Sequence, residues 1–137
     1  MNDCIFCKII RGELPCHKVY EDDDVLAFMD INPIHKGHVL VIPKKHAEII
    51  LDLDDEILQK VIVIVKKLSK PIVKATGADG FNVAQSNGRD AGQEIDHVHF
   101  HIIPRFKDDG KVFDWPHEKY NEGEMQQYAK KINASVV

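Results

Sequence analysis

The sequence predicts an α+β domain with an antiparallel sheet. Segments with the pattern of strands outnumber those with the pattern of helices, and most of the segments joining them are short. A third observation is the alternation HVHFHII at residues 97–103, which has the two-residue period of a β-strand. The 137 residues fit one domain, which we take as residues 1–137 with a C-terminal extension over 107–137.

The composition argues against two classes of partner. The net charge is −4 with both signs mixed, so no basic surface for nucleic acid is expected. No apolar run approaches the roughly 20 residues of a membrane span, and the N-terminus lacks the layout of a signal peptide. We therefore expect a cytoplasmic protein that binds neither nucleic acid nor membranes. In that compartment its three cysteines are not expected to form structural disulfides.

The first part of the chain contains one short helix and three strands. The predicted elements are a helix at residues 4–10 and strands at 18–21, 25–29 and 37–43. The last strand is a continuous apolar run that Gly37 begins and Pro43 ends.

The main helix follows. Asp54 is a good N-cap, with Leu53 and Leu58 placed as a hydrophobic staple. Pro71 is expected to kink or break the helix and Gly77 to end it. Apolar residues at helical spacing predict the face that packs on the core, which consists of Ile57, Leu58, Val61, Ile62, Val65 and Leu68.

The rest of the chain contains two strands and a final helix. A strand is predicted at residues 81–85, followed by a loop at 86–93 rich in Gly, Asn and Asp. The histidine strand at 97–103 comes next and is closed by Pro104. A short helix is predicted at about residues 123–133.

The histidine strand places three imidazoles on one face. His97, His99 and His101 alternate with apolar residues that form the core face, namely Val98, Phe100 and Ile102. At ~3.3 Å per residue the outer two histidines are ~13 Å apart, too far for one ion with bonds of only ~2.0–2.1 Å to nitrogen. We therefore expect the three histidines to have different roles.

Cys4 and Cys7 have a spacing typical of metal or redox sites. The motif is not set in a βαβ pattern, so we favour zinc, held in a structural Cys₂His₂ site with His46 and His97. Two thiols without a metal remain an alternative, and Cys16 is interpreted as a small half-buried side chain. Other histidines compete as ligands, namely His17, His35 and His38.

His99 is then an imidazole without a metal. A neutral imidazole can attack phosphorus if a backbone carbonyl accepts from one ring nitrogen and leaves the other free. His101 could donate to a phosphate oxygen. The preceding loop, residues 87–93, offers glycines that allow a close approach of the backbone and amide donors, although it lacks the spacing of a P-loop.

The motifs together resemble those of one family. HVHFHII matches the pattern His-φ-His-φ-His-φ-φ at every position, where φ is apolar, and the segments CIFCKIIRGELP, FMDINP, GHVLVIPKKH and AGQE agree as well. On these motifs the sequence resembles the histidine triad (HIT) family of nucleotide hydrolases and transferases, in the bacterial- and archaeal-type branch related to the Hint proteins. The similarity extends from residue 4 to the C-terminal tail.

The resemblance implies a fold, an assembly and an activity. The fold would be a five-stranded antiparallel sheet with one long helix and shorter N- and C-terminal helices, and the assembly a homodimer whose sheets join. Members of the family bind purine nucleotides and cleave a bond at the α-phosphorus. Their substrates include nucleoside phosphoramidates, aminoacyl adenylates and dinucleoside polyphosphates.

The resemblance also implies roles for individual residues. His99 would be the nucleophile that forms a nucleotidyl-histidine intermediate, and His101 would contact the α-phosphate. The other substrate-binding residues would be Asn87, Gly88 and Gln93 around the phosphate, Asp30 on the ribose, and Phe6, Ile9 and Ile31 around the base. The sequence departs from the usual family pattern at Ser86, Glu94 and Asp96.

Two other functions remain open at this point. In a zinc hydrolase, His97 and His99 would hold a catalytic metal. In a regulatory module, the site would bind purine nucleotides with negligible turnover.

Overall fold

The fold is that of a computed structural model, which describes residues 3–111 and 115–136. Its helices are α1 (Ile5–Ile10), α2 (Asp55–Thr76) and α3 (Glu124–Ser135). Its strands are β1 (Lys18–Glu21), β2 (Val25–Met29), β3 (Val39–Pro43), β4 (Gly80–Ala84) and β5 (Phe100–Arg105). The predicted α+β class is confirmed.

The five strands form one antiparallel sheet in the order β1-β2-β3-β5-β4. Helix α2 packs on one face of the sheet, where Val61, Val65 and Leu68 join the larger core cluster. A smaller cluster includes Phe6 of α1, together with Leu26, Phe28, Leu40 and Ile42 of the central strands. Both faces of β2 and β3 are therefore covered, which explains why these strands are continuously apolar.

Helix α2 continues through Pro71, so the predicted break is wrong, while the predicted kink stays a prediction. The proline removes the hydrogen bond to the carbonyl of Lys67. Both residues lie on the exposed face of the helix, where water can solvate the freed carbonyl. Leu68 and Ile72 on the opposite face are buried and hold the helix on the sheet on both sides of Pro71.

Helix α2 begins after Asp54 and ends at Gly77 as predicted, but its N-cap contact and its core face differ from the prediction. Asp54 is the N-cap residue, but its side chain makes no capping hydrogen bond and instead accepts from Lys45 at 2.6 Å. Ile62 is 42% exposed, whereas Ile64 and Ile72 are buried in its place. The face of α2 that packs on the sheet is therefore turned slightly around the helix axis from the face that the sequence predicts.

The histidine strand begins later than predicted. Strand β5 starts at Phe100, so His97 and His99 precede it and only His101 lies within it. Pro104 lies inside the strand opposite Phe81 rather than closing it. Strand β3 pairs only with residues 100–102, so Pro104 has a neighbouring strand on one side and its missing N–H leaves no ladder bond unmade.

An ionic cluster holds the loop between β2 and β3 against the segment that follows β5. The Asp109 carboxylate accepts from Arg105 at 2.8 and 2.9 Å and lies 3.0 Å from Nε2 of His35. The hydrogen bonds from Arg105 hold the pKa of Asp109 well below its usual value. This cluster fixes the loop that carries Asp30 at its start and His38 at its end.

Helix α3 makes little contact with the rest of the described chain. It contains no buried residue, and its apolar residues Met125, Tyr128 and Ile132 are at least half exposed. Within the described ranges, no helix is both long enough and apolar enough to cross a membrane.

Candidate active site and metal centre

Four predicted zinc ligands converge beside α1. The Nδ1 atoms of His46 and His97 lie 3.1 Å apart, and the sulfurs of Cys4 and Cys7 lie 3.4 and 3.6 Å from Nδ1 of His97. The Cys7 sulfur is also 3.4 Å from Nδ1 of His46. All four ligand atoms lie within 4.8 Å of one another. We call these four residues the Cys₂His₂ cluster.

The spacing of the Cys₂His₂ cluster fits a tetrahedral zinc ion. Zinc bonds at tetrahedral angles put two nitrogens about 3.3 Å apart and a nitrogen about 3.6 Å from a sulfur. Nε2 of His97 donates to the carbonyl of Pro43 at 2.8 Å, which leaves Nδ1 with the lone pair that a metal needs. Burial lowers the pKa of His97 to about 4, so this ring is neutral at pH 7. Burial also raises the pKa of Cys7 to about 11, and a cation would favour its thiolate.

His99 is held in one tautomer by the backbone. Its Nδ1 lies 2.7 Å from the carbonyl oxygen of His97. A carbonyl oxygen can only accept, so Nδ1 carries the proton and Nε2 of the neutral ring keeps its lone pair. Both nitrogens of His97 are already committed, so the arrangement does not support a catalytic metal shared by His97 and His99. The ring of His99 is buried and ready to act as a base or nucleophile.

A fourth histidine, His38, joins the site through His101. The backbone N–H of Ile34 donates to Nδ1 of His38 at 3.1 Å, so the proton of the neutral His38 ring is on Nε2. Nε2 of His38 lies 2.9 Å from Nδ1 of His101 and donates to it. The proton of His101 is therefore on Nε2. Burial lowers the pKa of His101 to about 4, so at pH 7 the ring is a neutral donor.

From the sequence alone His38 is only a competing zinc ligand, whereas the structure places it against His101. Asp30, His38 and His101 also form a cluster with the spacing of a metal site. The tautomer of His38 argues against a metal there, because the nitrogen that faces Asp30 and His101 carries a proton. The Asp30 carboxylate instead lies 3.6 Å from Nε2 of His38, where its negative charge favours a proton on that nitrogen.

The side chains of the predicted phosphate loop bind the protein itself. The Gln93 amide accepts from the N–H of Gly88 at 2.7 Å and donates to the carbonyls of Glu48 and Ile95 at 2.7 and 3.0 Å. The Asn87 amide accepts from the N–H of Ile50 at 2.7 Å. Both amides shape the loop that precedes His97. Their predicted position around a phosphate stays a prediction.

Of the three departures from the family pattern, Asp96 has a side-chain partner in Arg89. The Arg89 guanidinium donates to the carbonyls of Gln93 and Glu94 and pairs with Asp96 at 3.0 Å. Asp96 is therefore a solvated partner of Arg89. Asp96 directly precedes His97 but does not orient its ring, because the Pro43 carbonyl accepts from Nε2 of His97. Ser86 is half-buried and its carbonyl accepts from Gln85.

The residues predicted to surround a base differ in burial. Phe6 is buried, with its ring centroid 5.3 Å from that of His99, and Ile9 is half-buried in the same cluster. Ile31 is 88% exposed next to Asp30. Asp30 accepts from the N–H of Asn32 at 2.8 Å, which fixes its carboxylate in the same loop.

Together these features define an α+β domain with a histidine site next to a Cys₂His₂ cluster. The sequence pattern of the HIT domain matches residues 11–108, so the chain belongs to the HIT family. Among its relatives is the uncharacterized HIT-like protein MJ0866 of Methanocaldococcus jannaschii, which is 57% identical over 109 residues, covering 80% of this chain and 84% of the relative. The adenosine 5′-monophosphoramidase hnt1 of Schizosaccharomyces pombe is 43% identical, covering 97% of this chain and 98% of the relative.

Solved structures show the same fold. A HIT family protein from Bacillus subtilis superposes with a TM-score of 0.92 at 40% identity, over 99% of each chain. A Zn-bound histidine triad family protein from Mycobacterium smegmatis superposes with a TM-score of 0.77 at 29% identity, over 98% of each chain.

Proposed function

We propose that this protein hydrolyses conjugates of purine nucleotides at the α-phosphorus, with His99 as the nucleophile. The observation that carries the proposal is the hydrogen bond from Nδ1 of His99 to the carbonyl of His97. In the neutral ring this bond puts the lone pair on Nε2, where it can attack phosphorus without a separate general base. The name of the Schizosaccharomyces pombe relative, an adenosine 5′-monophosphoramidase, supports a nucleotide substrate.

The first step forms a bond from Nε2 of His99 to phosphorus and breaks the bond to the leaving group. The leaving group departs with the bonding electrons and takes up a proton from solvent. Nε2–H of His101 donates to a non-bridging oxygen and stabilises the charge that develops there. Water then attacks the phosphorus, its proton is released to solvent, and the nucleotide leaves His99.

Several residues support binding of the nucleoside. Asp30 presents a half-buried carboxylate next to His38, where its oxygens could accept from the ribose hydroxyls. Phe6 and Ile9 provide apolar surface on one side. The exposed Ile31 side chain would lose water-accessible area under a flat base, which is favourable at about 25 cal/mol per Å² of apolar surface.

A panel of substrates tests this function. Adenosine phosphoramidate, an aminoacyl adenylate and a diadenosine polyphosphate are each incubated with the protein, and AMP release is measured. We expect AMP from at least one substrate. AMP binding without release from any of them would favour the regulatory module. Neither binding nor release would contradict the proposal.

We propose that the Cys₂His₂ cluster holds one structural zinc ion. The distances among its ligand atoms support this, as does the Zn-bound relative from Mycobacterium smegmatis. When bound, zinc would supply a cation that holds the N-terminal segment against the residues before β5. No step of the reaction uses it.

Zinc content tests this proposal. Protein purified without chelators is expected to contain about one zinc per chain by elemental analysis, because the cluster is one tetrahedral site. Cys4→Ala and Cys7→Ala should lose it. Cys16→Ala is the matched control, because Cys16 is not a member of the cluster, and it should keep zinc. Full zinc content in the Cys7→Ala protein would contradict the proposed ligands.

We also propose that the protein is a homodimer in which two sheets join at β4. This edge strand exposes Phe81 and Val83, each 45% exposed, and α2 nearby exposes Val63. An exposed apolar edge strand is a common site of pairing between chains.

Light scattering is expected to give twice the chain mass of 15.6 kDa at micromolar concentration. Val83→Lys should shift the protein towards the monomer, because a charge would be buried at the joint. Val19→Lys is the matched control on β1, the opposite edge strand, and should leave the mass unchanged. A wild-type mass near that of one chain would exclude the dimer.

A further inference from the structure

Helix α1 carries residues of both the Cys₂His₂ cluster and the proposed nucleotide site. Cys4 immediately precedes the helix and Cys7 lies within it, and Phe6 stands between the two cysteines. Ile9 and Ile10 of the same helix pack against the cluster of apolar residues around Phe28. Whatever fixes this helix therefore fixes both sites.

Helix α1 has few stabilising features of its own. It is only six residues long, and Cys4 makes no capping hydrogen bond with its side chain. Isolated helices of this length are unstable in water, so tertiary contacts must order it. Those contacts include the apolar packing of Phe6, Ile9 and Ile10 and the approach of the two cysteines to His46 and His97. A metal ion bound by the four side chains would add bonds at both ends of the Cys4–Cys7 segment.

Two contacts connect the Cys₂His₂ cluster to His99. The first is the Phe6 ring, which lies edge-to-face against His97 at 5.8 Å and against His99 at 5.3 Å between centroids. The second is the backbone of His97, whose carbonyl accepts from Nδ1 of His99 at 2.7 Å. His97 thus belongs to the cluster through its ring and holds His99 through its carbonyl.

We propose that zinc in the Cys₂His₂ cluster and a nucleotide at His99 strengthen the binding of each other, with Phe6 as the positioning residue that couples the two sites. Zinc orders α1, and the ordered helix sets the Phe6 ring against His99 and the base. A nucleotide bound at His99 favours the same position of the Phe6 ring against His99 and therefore of the helix, so the metal is held more tightly. The effect must be equal in both directions because the two binding equilibria share one cycle. This inference rests on the proposed nucleotide site.

The coupling is measured from both sides. Calorimetry gives the Kd of AMP for the full-length zinc-loaded protein and for the zinc-depleted protein, with circular dichroism verifying that the latter is folded. Competition with a chromophoric chelator gives the affinity for zinc with and without saturating AMP. This second measurement starts from the zinc-loaded protein and does not require a folded metal-free state. We expect a change of about fivefold or more in each, in the range usual for coupled sites.

A Phe6→Leu variant distinguishes coupling from simple contact with the base. If Phe6 only lined the base, the variant would weaken AMP binding by the same factor with and without zinc. If Phe6 couples the sites, the ratio of the two AMP affinities should fall towards one while the zinc content stays at one per chain. Ile10→Val is the matched control on the same helix and should keep the wild-type ratio.

The possible failures are distinguishable. If AMP does not bind the zinc-loaded wild-type protein, the proposed nucleotide site is wrong, and the proposed coupling is excluded as well. If AMP binds and its Kd is the same with and without zinc, and zinc affinity does not respond to AMP, only the coupling is wrong. An unchanged ratio in Phe6→Leu would exclude Phe6 as the coupling residue.

Discussion

Replacing His99 with asparagine is expected to lower turnover by a factor on the order of 10⁴ or more, because the group that forms the covalent bond to phosphorus is removed. Asparagine is chosen because its side-chain amide can still donate towards the carbonyl of His97, which accepts from His99 in the wild type. The melting temperature and the Kd for AMP should therefore change little. Steady-state AMP release, thermal unfolding and calorimetry measure the three quantities.

His101→Asn is the comparison for this variant. His101 contributes one donor to the developing charge, and loss of one such donor typically lowers the rate by about 10²–10³. Its effect should thus be clearly smaller than that of His99→Asn. Equal effects of the two variants would argue against a nucleophile at His99, and normal turnover in His99→Asn would exclude it.

The covalent intermediate gives a direct test. Wild-type protein quenched rapidly without acid during turnover should carry one nucleotidyl group, detectable by mass spectrometry and mapped to His99. An adduct on His97 or His101 would show that the roles along this segment are wrongly assigned. The hydrogen bonds of His97 argue against its acting as the nucleophile, since its Nε2 donates to Pro43 and its Nδ1 faces the cysteines.

The sequence predicted the elements well because most of them depend on local patterns. Alternation at residues 97–103 placed Val98, Phe100 and Ile102 in the core, and they are buried there. The same alternation could not tell where ladder pairing begins, because pairing depends on β3, which reaches only Phe100. Pro71 shows the same limit, since packing on the sheet overrides a local helix breaker.

The site was harder to predict where contacts join distant parts of the chain. The zinc ligands could be proposed because cysteine pairs have few alternative roles in this spacing. His38 could not be assigned this role from the sequence, because it directly precedes a strand that is buried throughout and its partner His101 lies 63 residues away. The resemblance implies that Gln93 lies near the phosphate, and only the structure shows that its amide bonds to the backbone around it.

The hydrogen bond from His38 to His101 leads to the second prediction of a large loss of activity. His38→Phe should lower kcat by roughly 10²-fold, close to the effect of losing the donor on His101 itself. The Nε2–H of His38 keeps the proton of His101 on its outer nitrogen, and phenylalanine cannot do so. Without this donor, part of the population carries the proton on Nδ1 of His101 and has none to offer the phosphate. KM should change less than kcat, because the donor acts mainly on charge that develops in the transition state.

A double variant tests whether His38 acts through His101. If it does, adding His38→Phe to His101→Asn should cost little further activity, whereas independent roles would multiply the two losses. His17→Phe is the control, because the His17 side chain is exposed before β1 and its backbone carbonyl, which the variant keeps, accepts from Met29, so its turnover should stay near that of the wild type. The phenylalanine at 38 also leaves the N–H of Ile34 without its acceptor, which costs about 1–3 kcal/mol where the group is buried. The rates must therefore be compared below the melting temperature of each variant. Fully multiplicative losses under those conditions would show that His38 contributes to the site independently of His101.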